Sequence, residues 1–378
     1  MLKKYVSVEQ LRLMPTRILF SLETNATRKL ENLLLQLKVV NNSKPMKILI
    51  VGAGGSFPSA LVVKQILADE CRTSEIEVAT PQTAIRKLRP FPDTISKPCY
   101  NVVIAISYSG KTPDIQKVYE VCRCENVQFI LVTKAKLLDV QEMYTNFNLI
   151  SNNIVSYYNE NDDTGNERGM ISMTSTLAPI AIFDSLCSDF KADLKSCFDK
   201  GNEFVESLDI AAIAKSVQKV PIINVFYELE TMPTAFDIES KFTEAGIANI
   251  VLHEKKNFSH GRYVSLYTLK SGLNINLTKS SLVDSIYSKA ICKNHVASEE
   301  SYDEKLDTFL KNISTRNETA YIKIGTNSSM SHQWNIEAMS IIPYLLVAIG
   351  EAQEIDVSKP LQPFPEEAKE LYNYRGEF

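Results

Sequence analysis

Asn101-Val-Val-Ile-Ala-Ile-Ser107-Tyr108-Ser109-Gly110-Lys111-Thr112 is an apolar run that breaks into a hydroxyl-rich loop, and Pro113 to Val121 follows with the features of a helix start. The run is β-branched and almost wholly apolar, as a strand buried on both faces of a parallel sheet must be. A loop that ends such a strand and opens a helix gathers backbone N–H groups at the helix N-terminus, where the dipole favours an anion. The segment therefore predicts strand, anion-holding loop and helix in that order, the repeating unit of an α/β fold.

Upstream, the same design recurs. Met46-Lys-Ile-Leu-Ile-Val51 reads as a strand, Gly52-Ala-Gly54-Gly55-Ser56 as a tight loop, and Pro58 suits the first turn of a helix continuing to about Asp69. Two such loops can face one ligand. A dinucleotide is disfavoured, because Phe57 stands where the third glycine of G-x-G-x-x-G belongs and Glu75–Thr80 ends without an acidic residue for a ribose. The alternative that the glycines only let a helix pack close to a sheet covers each loop alone. It leaves unexplained why serines end both.

Strands at 46–52, 75–80, 101–107 and 127–133 alternate with helices, which predicts a doubly wound parallel sheet. Residues 6–41 carry helical apolar spacing and predict a helical lead-in. Asn159 to Gly169 reads as a loop, and Met170 to Phe190 as one long apolar helix. The rhythm then restarts, with strands at 220–226, 273–278 and 320–325 and helices at 234–247, 281–293, 304–312 and 336–351, so two similar units lie in tandem with a join near 200–218. The second unit has Tyr227-Glu228-Leu229-Glu230 where the first has its glycine-serine loop, so one phosphate site per chain is expected.

Composition bounds the rest. A chain of 378 residues with 44% hydrophobic content can bury two cores of ordinary domain size. A net charge of −4 with four scattered histidines gives neither a nucleic-acid surface nor a basic membrane patch. Seven cysteines, at 71, 99, 122, 124, 187, 197 and 292, are odd in number and unevenly spaced, and Cys122-x-Cys124 has no second pair nearby to complete a zinc site. Reduced thiols, no metal, no cofactor and a cytoplasmic location are the expectation. No apolar core follows Met-Leu-Lys-Lys-Tyr, and no stretch is expected to reach the length of a membrane span.

Gly52-Ala-Gly-Gly-Ser56 together with Ser107-Tyr-Ser109-Gly-Lys-Thr112 resembles the sugar isomerase (SIS) family of phosphosugar-binding proteins. Gly165-Asn-Glu167-Arg-Gly169-Met-Ile-Ser172-Met-Thr174 is similar to the stretch that closes the first SIS unit in the isomerase part of glucosamine-6-phosphate synthase. Lys241-Phe-Thr-Glu244, followed sixteen residues later by His260-Gly261, is similar to the catalytic segment of that synthase and of SIS-family deglycases. The resemblance covers roughly residues 46–360. It implies a helical segment over 1–45, a first SIS unit over 46–205 with the phosphate site, a second over 206–360 with the Glu/His segment, and a tail over 361–378, each unit flavodoxin-like.

Carried over, the resemblance makes Ser56, Ser107, Ser109 and Thr112 the phosphate ligands, with Tyr108 supplying its backbone N–H. Glu244 becomes the acid/base between C1 and C2 of an open-chain sugar or in C–N cleavage, His260 the ring opener, and Lys241 its neighbour. The histidine of relatives comes from the adjacent subunit, which implies a homodimer with shared sites and a phosphorylated sugar or amino sugar as ligand. Such chemistry is sensible: proton transfer next to a carbonyl needs a base within hydrogen-bond reach. Ring opening suits a histidine, which titrates near neutral pH, and a clamped phosphate supplies remote binding energy. His253, His295 and His332 match nothing and read as core or surface residues.

The match departs in places. No N-terminal cysteine-led glutaminase domain precedes the first unit, so glutamine-dependent amination is not expected of this polypeptide. Thr174 stands where the synthase carries a lysine, Tyr108 where it carries glutamine, and Arg262 where it carries proline. Lys369 is the candidate for the tail lysine that synthase relatives bring into the site, and Glu167 is read as fixing its loop. An aldose–ketose isomerase, a deglycase or deaminase, and a non-catalytic phosphosugar sensor are the readings that this pattern leaves open.

Overall fold

The computed structural model describes residues 5–40, 46–70, 75–89, 100–144, 153–160, 173–186, 192–279, 302–326 and 328–359. These fall into two compact units. The first holds described residues between 12 and 186, the second residues 5–11 and 192–359. The expected helix at 281–293, all but the first two residues of the expected loop at 159–169, and the tail with Lys369 lie outside the described residues.

Two helices lead in, α1 (Val6–Leu22) and α2 (Ala26–Val40). The first sheet follows: β1 (Lys47–Gly52), β2 (Glu75–Ala79), β3 (Val102–Ile106), β4 (Gln128–Thr133) and β5 (Ile154–Ser156). All are parallel, in the spatial order β2-β1-β3-β4-β5. Every residue of β3 is buried, as its β-branched run requires of a strand covered on both sides. One face, through Leu49, Val51, Val103, Ala105, Phe129 and Leu131, packs under α4 (Pro81–Leu88) and α5 (Pro113–Cys124). On that side Tyr119 meets Phe129 and Tyr144 edge-on, with ring centroids 5.1 and 5.6 Å apart. The other face packs against α3 (Ser56–Glu70), which in turn lies on a helix further along the chain. A short helix, α6 (Leu137–Met143), follows β4.

That further helix, α7, covers only Leu177–Asp184, against the single helix expected from Met170. Its described upstream neighbours are non-helical because their hydroxyls bond elsewhere: Thr174 to Tyr108, and Thr176 to the Gly55 carbonyl. Serine and threonine that find such partners compete with helical bonding.

The second unit opens with α8 (Leu194–Glu206) and α9 (Ile210–Lys219), which fill the 200–218 stretch. Asp193 and Asp209 cap them, each accepting a backbone N–H at 3.1 and 3.0 Å. Its parallel sheet contains β6 (Ile222–Tyr227), β7 (Asn249–Glu254), β8 (Leu273–Lys279) and β9 (Ala320–Thr326), in the order β7-β6-β8-β9. Between them run α10 (Met232–Glu244), α11 (Lys255–Ser259), α12 (Ser265–Thr268) and α13 (Tyr302–Asn317), and α14 (Ser331–Ala352) closes the unit. Asp356 accepts the Val6 and Ser7 N–H groups at 2.9 and 3.1 Å, satisfying the start of α1 with a carboxylate.

The expectation that no stretch reaches spanning length fails at α14, which is 22 residues long and apolar enough to cross a membrane by length and composition. Its hydropathy has an internal cause, since 72% of the apolar window is buried. The helix lies on α8, α9, α10 and β9. At Gly201 of α8 a Cβ would stand 2.9 Å from the Ser340 carbonyl oxygen, so the two backbones touch there.

The faces of the second sheet differ. Ile223, Val225, Ile275, Leu277, Ile322 and Ile324 form an apolar side under α9, α10 and α14. The side under α11 to α13 carries Asn224, Asn274 and Asn276 beside Phe226 and His253. Their amide nitrogens all donate: Asn224 to Asn274 at 2.9 Å, Asn274 to Ser314 at 2.9 Å, and Asn276 to Asp307 at 3.4 Å, while the buried Asn276 Oδ1 has no partner among the described residues. His253 Nε2 lies 3.1 Å from Asn224 Oδ1, and its ring stacks on Phe226 at 5.0 Å. Burial first, and then the charge of Arg262, lower the His253 pKa to about 4, so it is a neutral core residue at physiological pH.

Candidate functional site

The two glycine and hydroxyl loops leave neighbouring strands at the same sheet end, because Gly52, the last residue of β1, pairs with Ile106, the last of β3. From β1 the chain proceeds outward to β2, and from β3 it proceeds the opposite way to β4 and β5. The loops therefore flank the topological switch point, where open α/β sheets bind ligands beyond the carboxyl ends of their strands.

The first loop is tight. A Cβ on Gly52 would fall 2.3 Å from the Ser56 carbonyl oxygen, and Gly54 has a φ of +52°. The Ser56 N–H donates to the Ala53 carbonyl at 3.1 Å and the Phe57 N–H to Gly54 at 2.9 Å, which sets Ser56 as the first residue of α3, buried at 6% exposure. In the second loop the Ser107 N–H still bonds the Val132 carbonyl at 3.1 Å, and the Gly110 N–H turns back to Ser107 at 3.2 Å. Ser107 Oγ and Thr112 Oγ1 are 3.3 Å apart. Thr112 occupies the N-cap position of α5, yet its hydroxyl makes no capping bond to that helix. Pro113 brings no N–H, and the Ile115 and Gln116 N–H groups bond the Thr112 carbonyl at 3.0 and 3.3 Å, so the Ser107 and Thr112 hydroxyls are the polar groups this loop offers to an anion. Ser109 is exposed, and its hydroxyl accepts from the Lys111 N–H at 3.2 Å.

Tyr108 is held at both ends. Its carbonyl accepts the Lys134 N–H and the Thr133 hydroxyl, both at 3.1 Å, and its phenol lies 2.9 Å from Thr174 Oγ1. The Lys134 ammonium is 5.8 Å from its ring centroid. Two of the three residues that depart from the synthase pattern, Tyr108 and Thr174, are thus each other's hydrogen-bond partners. Sequence reasoning missed the rest of this strip: Thr176 donates to the Gly55 carbonyl at 3.3 Å, and Ser59 donates to the Thr176 carbonyl at 2.9 Å. Thr174 and Thr176 therefore reach the second and the first loop respectively. A Thr-Ser-Thr run before an apolar helix was the available signal, and it was read as part of the helix.

The second unit carries the other candidates. Lys241 is buried on α10 and pairs with Asp237, one turn earlier on the same helix. Glu244 ends α10, is exposed, and accepts from Ser240 Oγ at 2.9 Å. His260 follows α11, is exposed, and donates its backbone N–H to the Asn257 carbonyl at 3.2 Å. Gly261, with a φ of +107°, then turns the chain into a short 3-10 segment that begins at the exposed Arg262. The structure thus gathers Ser56 with α3, and Ser107, Tyr108, Ser109 and Thr112 with α5, and sets Glu244 and His260 at the ends of successive helices. Lys241 faces a carboxylate other than Glu244. Glu167 and Lys369 lie outside the described residues. Among the described residues no cluster of three or more histidine, cysteine or acidic side chains is placed to hold a metal ion.

No family model and no curated protein matches the sequence. Solved structures do. The tagatose-6-phosphate ketose/aldose isomerase of Escherichia coli superimposes with a TM-score of 0.64 at 16% identity, over 93% of this chain and 94% of its own. Glucosamine-6-phosphate deaminase of Thermotoga maritima gives a TM-score of 0.58 at 12% identity, over 94% and 97%. The C-terminal domain of glucosamine-fructose-6-phosphate aminotransferase from Francisella tularensis gives 0.55 at 14%, over 92% and 97%. The chain has the tandem SIS fold. Coverage of nearly the whole length on both sides means that the likeness spans both units of the SIS fold rather than one sheet.

Proposed function

We propose that this chain binds a phosphorylated sugar or amino sugar and catalyses proton transfer between its C1 and C2, as an aldose–ketose isomerase or as a deglycase or deaminase. The observation that carries the reading is the pairing of Gly52 with Ile106, which brings the Ser56 loop and the Ser107–Thr112 loop to one switch point. Hydroxyls at that point make a phosphate handle that needs no metal and no fixed cation. Ser56, Ser107, Ser109 and Thr112 are its ligands in this reading, with the Tyr108 backbone N–H.

Glu244 is proposed as the acid/base and His260 as the group that moves a proton between the ring oxygen and the anomeric hydroxyl, with a homodimer as the working unit. An exposed carboxylate and an exposed imidazole on successive elements are accessible to a ligand. Lys241, three residues before Glu244 on α10, is held by its ion pair with Asp237 one turn earlier on the same helix.

The test is deuterium incorporation from solvent at C1 or C2 of fructose 6-phosphate, glucosamine 6-phosphate and fructosamine 6-phosphates. Wild type is expected to exchange one of them, and Glu244→Gln to do so about 10²- to 10⁴-fold more slowly, the usual worth of a positioned acid/base. Ser107→Ala is expected to weaken binding of the same sugar. Tight phosphosugar binding with no exchange by wild type would establish the sensor reading instead.

A further inference from the structure

The second unit holds a charged cluster that the proposed chemistry does not use. Lys255, the first residue of α11, has 0% exposure, and its ammonium lies 2.8 Å from Asp303 Oδ1 and 3.5 Å from Glu228 Oε1. Its carbonyl accepts the Tyr302 hydroxyl at 2.7 Å. Glu228 is the first residue beyond β6, and Tyr302 and Asp303 open α13, so one buried ammonium joins three separate elements. A charge removed from water is tolerated only with such partners.

The mechanical consequence falls on His260. Helix α11 has five residues and is fastened to the rest of the unit by Lys255 at one end and by the buried ring of Phe258, which meets Phe226 and His253 edge-on at 4.9 and 5.3 Å. The other members, Lys256, Asn257 and Ser259, are exposed, and His260 comes next. We propose that Glu228, Lys255 and Asp303 form a charge clamp that fixes α11 and thereby positions His260, which makes Lys255 and Glu228 positioning residues. The link to ring opening rests on the function proposed above; the clamp itself does not.

Glu228 makes the clamp pH-sensitive. Burial pushes its pKa up to about 7; Lys255 pulls it down, and Asp303 and Glu230 push it up, with the Tyr302 hydroxyl a further titratable neighbour among the described residues. In the folded state the value lies above the ordinary carboxylate value, so the proton stabilises the closed clamp. That stabilisation is complete below the ordinary value and is lost as pH rises through about 7. Protonated, Glu228 leaves Asp303 to balance Lys255; ionised, it sets two negative charges against one positive.

Hydrogen exchange of the 255–264 segment, corrected for intrinsic rates, tests this on the full-length protein, with the 331–352 segment as reference. Wild type is expected to lose about tenfold in protection between pH 6 and pH 8, the change in proton occupancy across a pKa of about 7. Glu228→Gln should hold its protection level across that range, and Lys255→Met should lower it at both pH values. If wild type catalyses no exchange on any phosphosugar while protection behaves as stated, the catalytic reading fails and the clamp stands. If wild type is active, Glu228→Gln should also remove an alkaline fall in kcat with KM unchanged. Protection in Glu228→Gln that tracks wild type at both pH values overturns the clamp and leaves the catalytic reading untouched.

Discussion

Gly110 decides whether the Ser107–Thr112 loop can exist. Its φ is +66°, and a Cβ there would sit 2.9 Å from Thr133 Oγ1 and 3.2 Å from Val140 Cγ2, in a place where the Thr133 hydroxyl already holds the Tyr108 carbonyl. Gly110→Ala therefore combines backbone strain with a clash and is expected to lower stability by about 1–3 kcal/mol. Gly54→Ala is the contrast: its φ is +52°, but nothing stands within 4 Å, so only the backbone term remains, about 1 kcal/mol. Thermal unfolding of the two variants should rank them in that order, and an equal loss would show that the space around Gly110 is not filled as described. At this scale the sequence was informative where chemistry and local geometry coincide. Serine at the end of an apolar run marks Ser107, and serine closing a glycine loop after another such run marks Ser56, without any knowledge of the fold. The Tyr108 to Thr174 bond was invisible, because it joins residues 66 apart and neither residue type demands the other.

Helix α10 shows the same boundary for an element. Its existence follows from apolar spacing and from Pro233 near its start, and the structure places it over Met232–Glu244. Opposite charges at Asp237 and Lys241, four apart, would normally mark a solvated helix face. Here both are buried, on a helix that packs against β6, β7 and α14. Lys241→Met should cost about 3–5 kcal/mol, since it leaves a carboxylate in the interior without its counter-charge. Adding Asp237→Leu should recover much of that loss; chemical denaturation of the single and double variants checks it. Strand β7 was missed for a related reason. As an edge strand with alternating exposed positions and polar ends, Asn249–Glu254 lacks the continuous apolar run that announced β1, β3 and β6.

Across the molecule, the alternation of strands and helices made two parallel sheets legible, while their strand orders were not, because right-handed crossovers fix the side on which a helix lies and not which strands are neighbours. The polar side of the second sheet was not legible, because an asparagine in a strand reads equally as solvent-facing. That side also brings together two groups whose pH responses oppose. His253 has its pKa lowered to about 4, so its stabilisation is present above its ordinary value near 6.5 and is lost as pH falls through 4. Glu228, raised to about 7, contributes stability that fades as pH climbs from its ordinary value through 7. Between about pH 4.5 and 6.5 the two slopes cancel, each being at most about 1.4 kcal/mol per pH unit. Glu228→Gln should unmask the histidine, so that its stability relative to wild type rises with pH over that window; denaturant melts at half-unit steps would show it, and parallel curves would refute it.

The amide-lined sheet face has a consequence for exchanging parts between proteins of this shape. Apolar layers tolerate partners of roughly the right volume, so α14 or α9 is replaceable by a helix of similar bulk. The layer under α13 is directional: Asn274 needs a hydroxyl where Ser314 stands, and Asn276 needs an acceptor where Asp307 stands. A helix grafted there without both would strand buried amides. Strands β6 and β8 therefore travel with α13 as one heritable block, and a chimaera drawn through the middle of that block would fail while cuts on the opposite side of the sheet would be accepted.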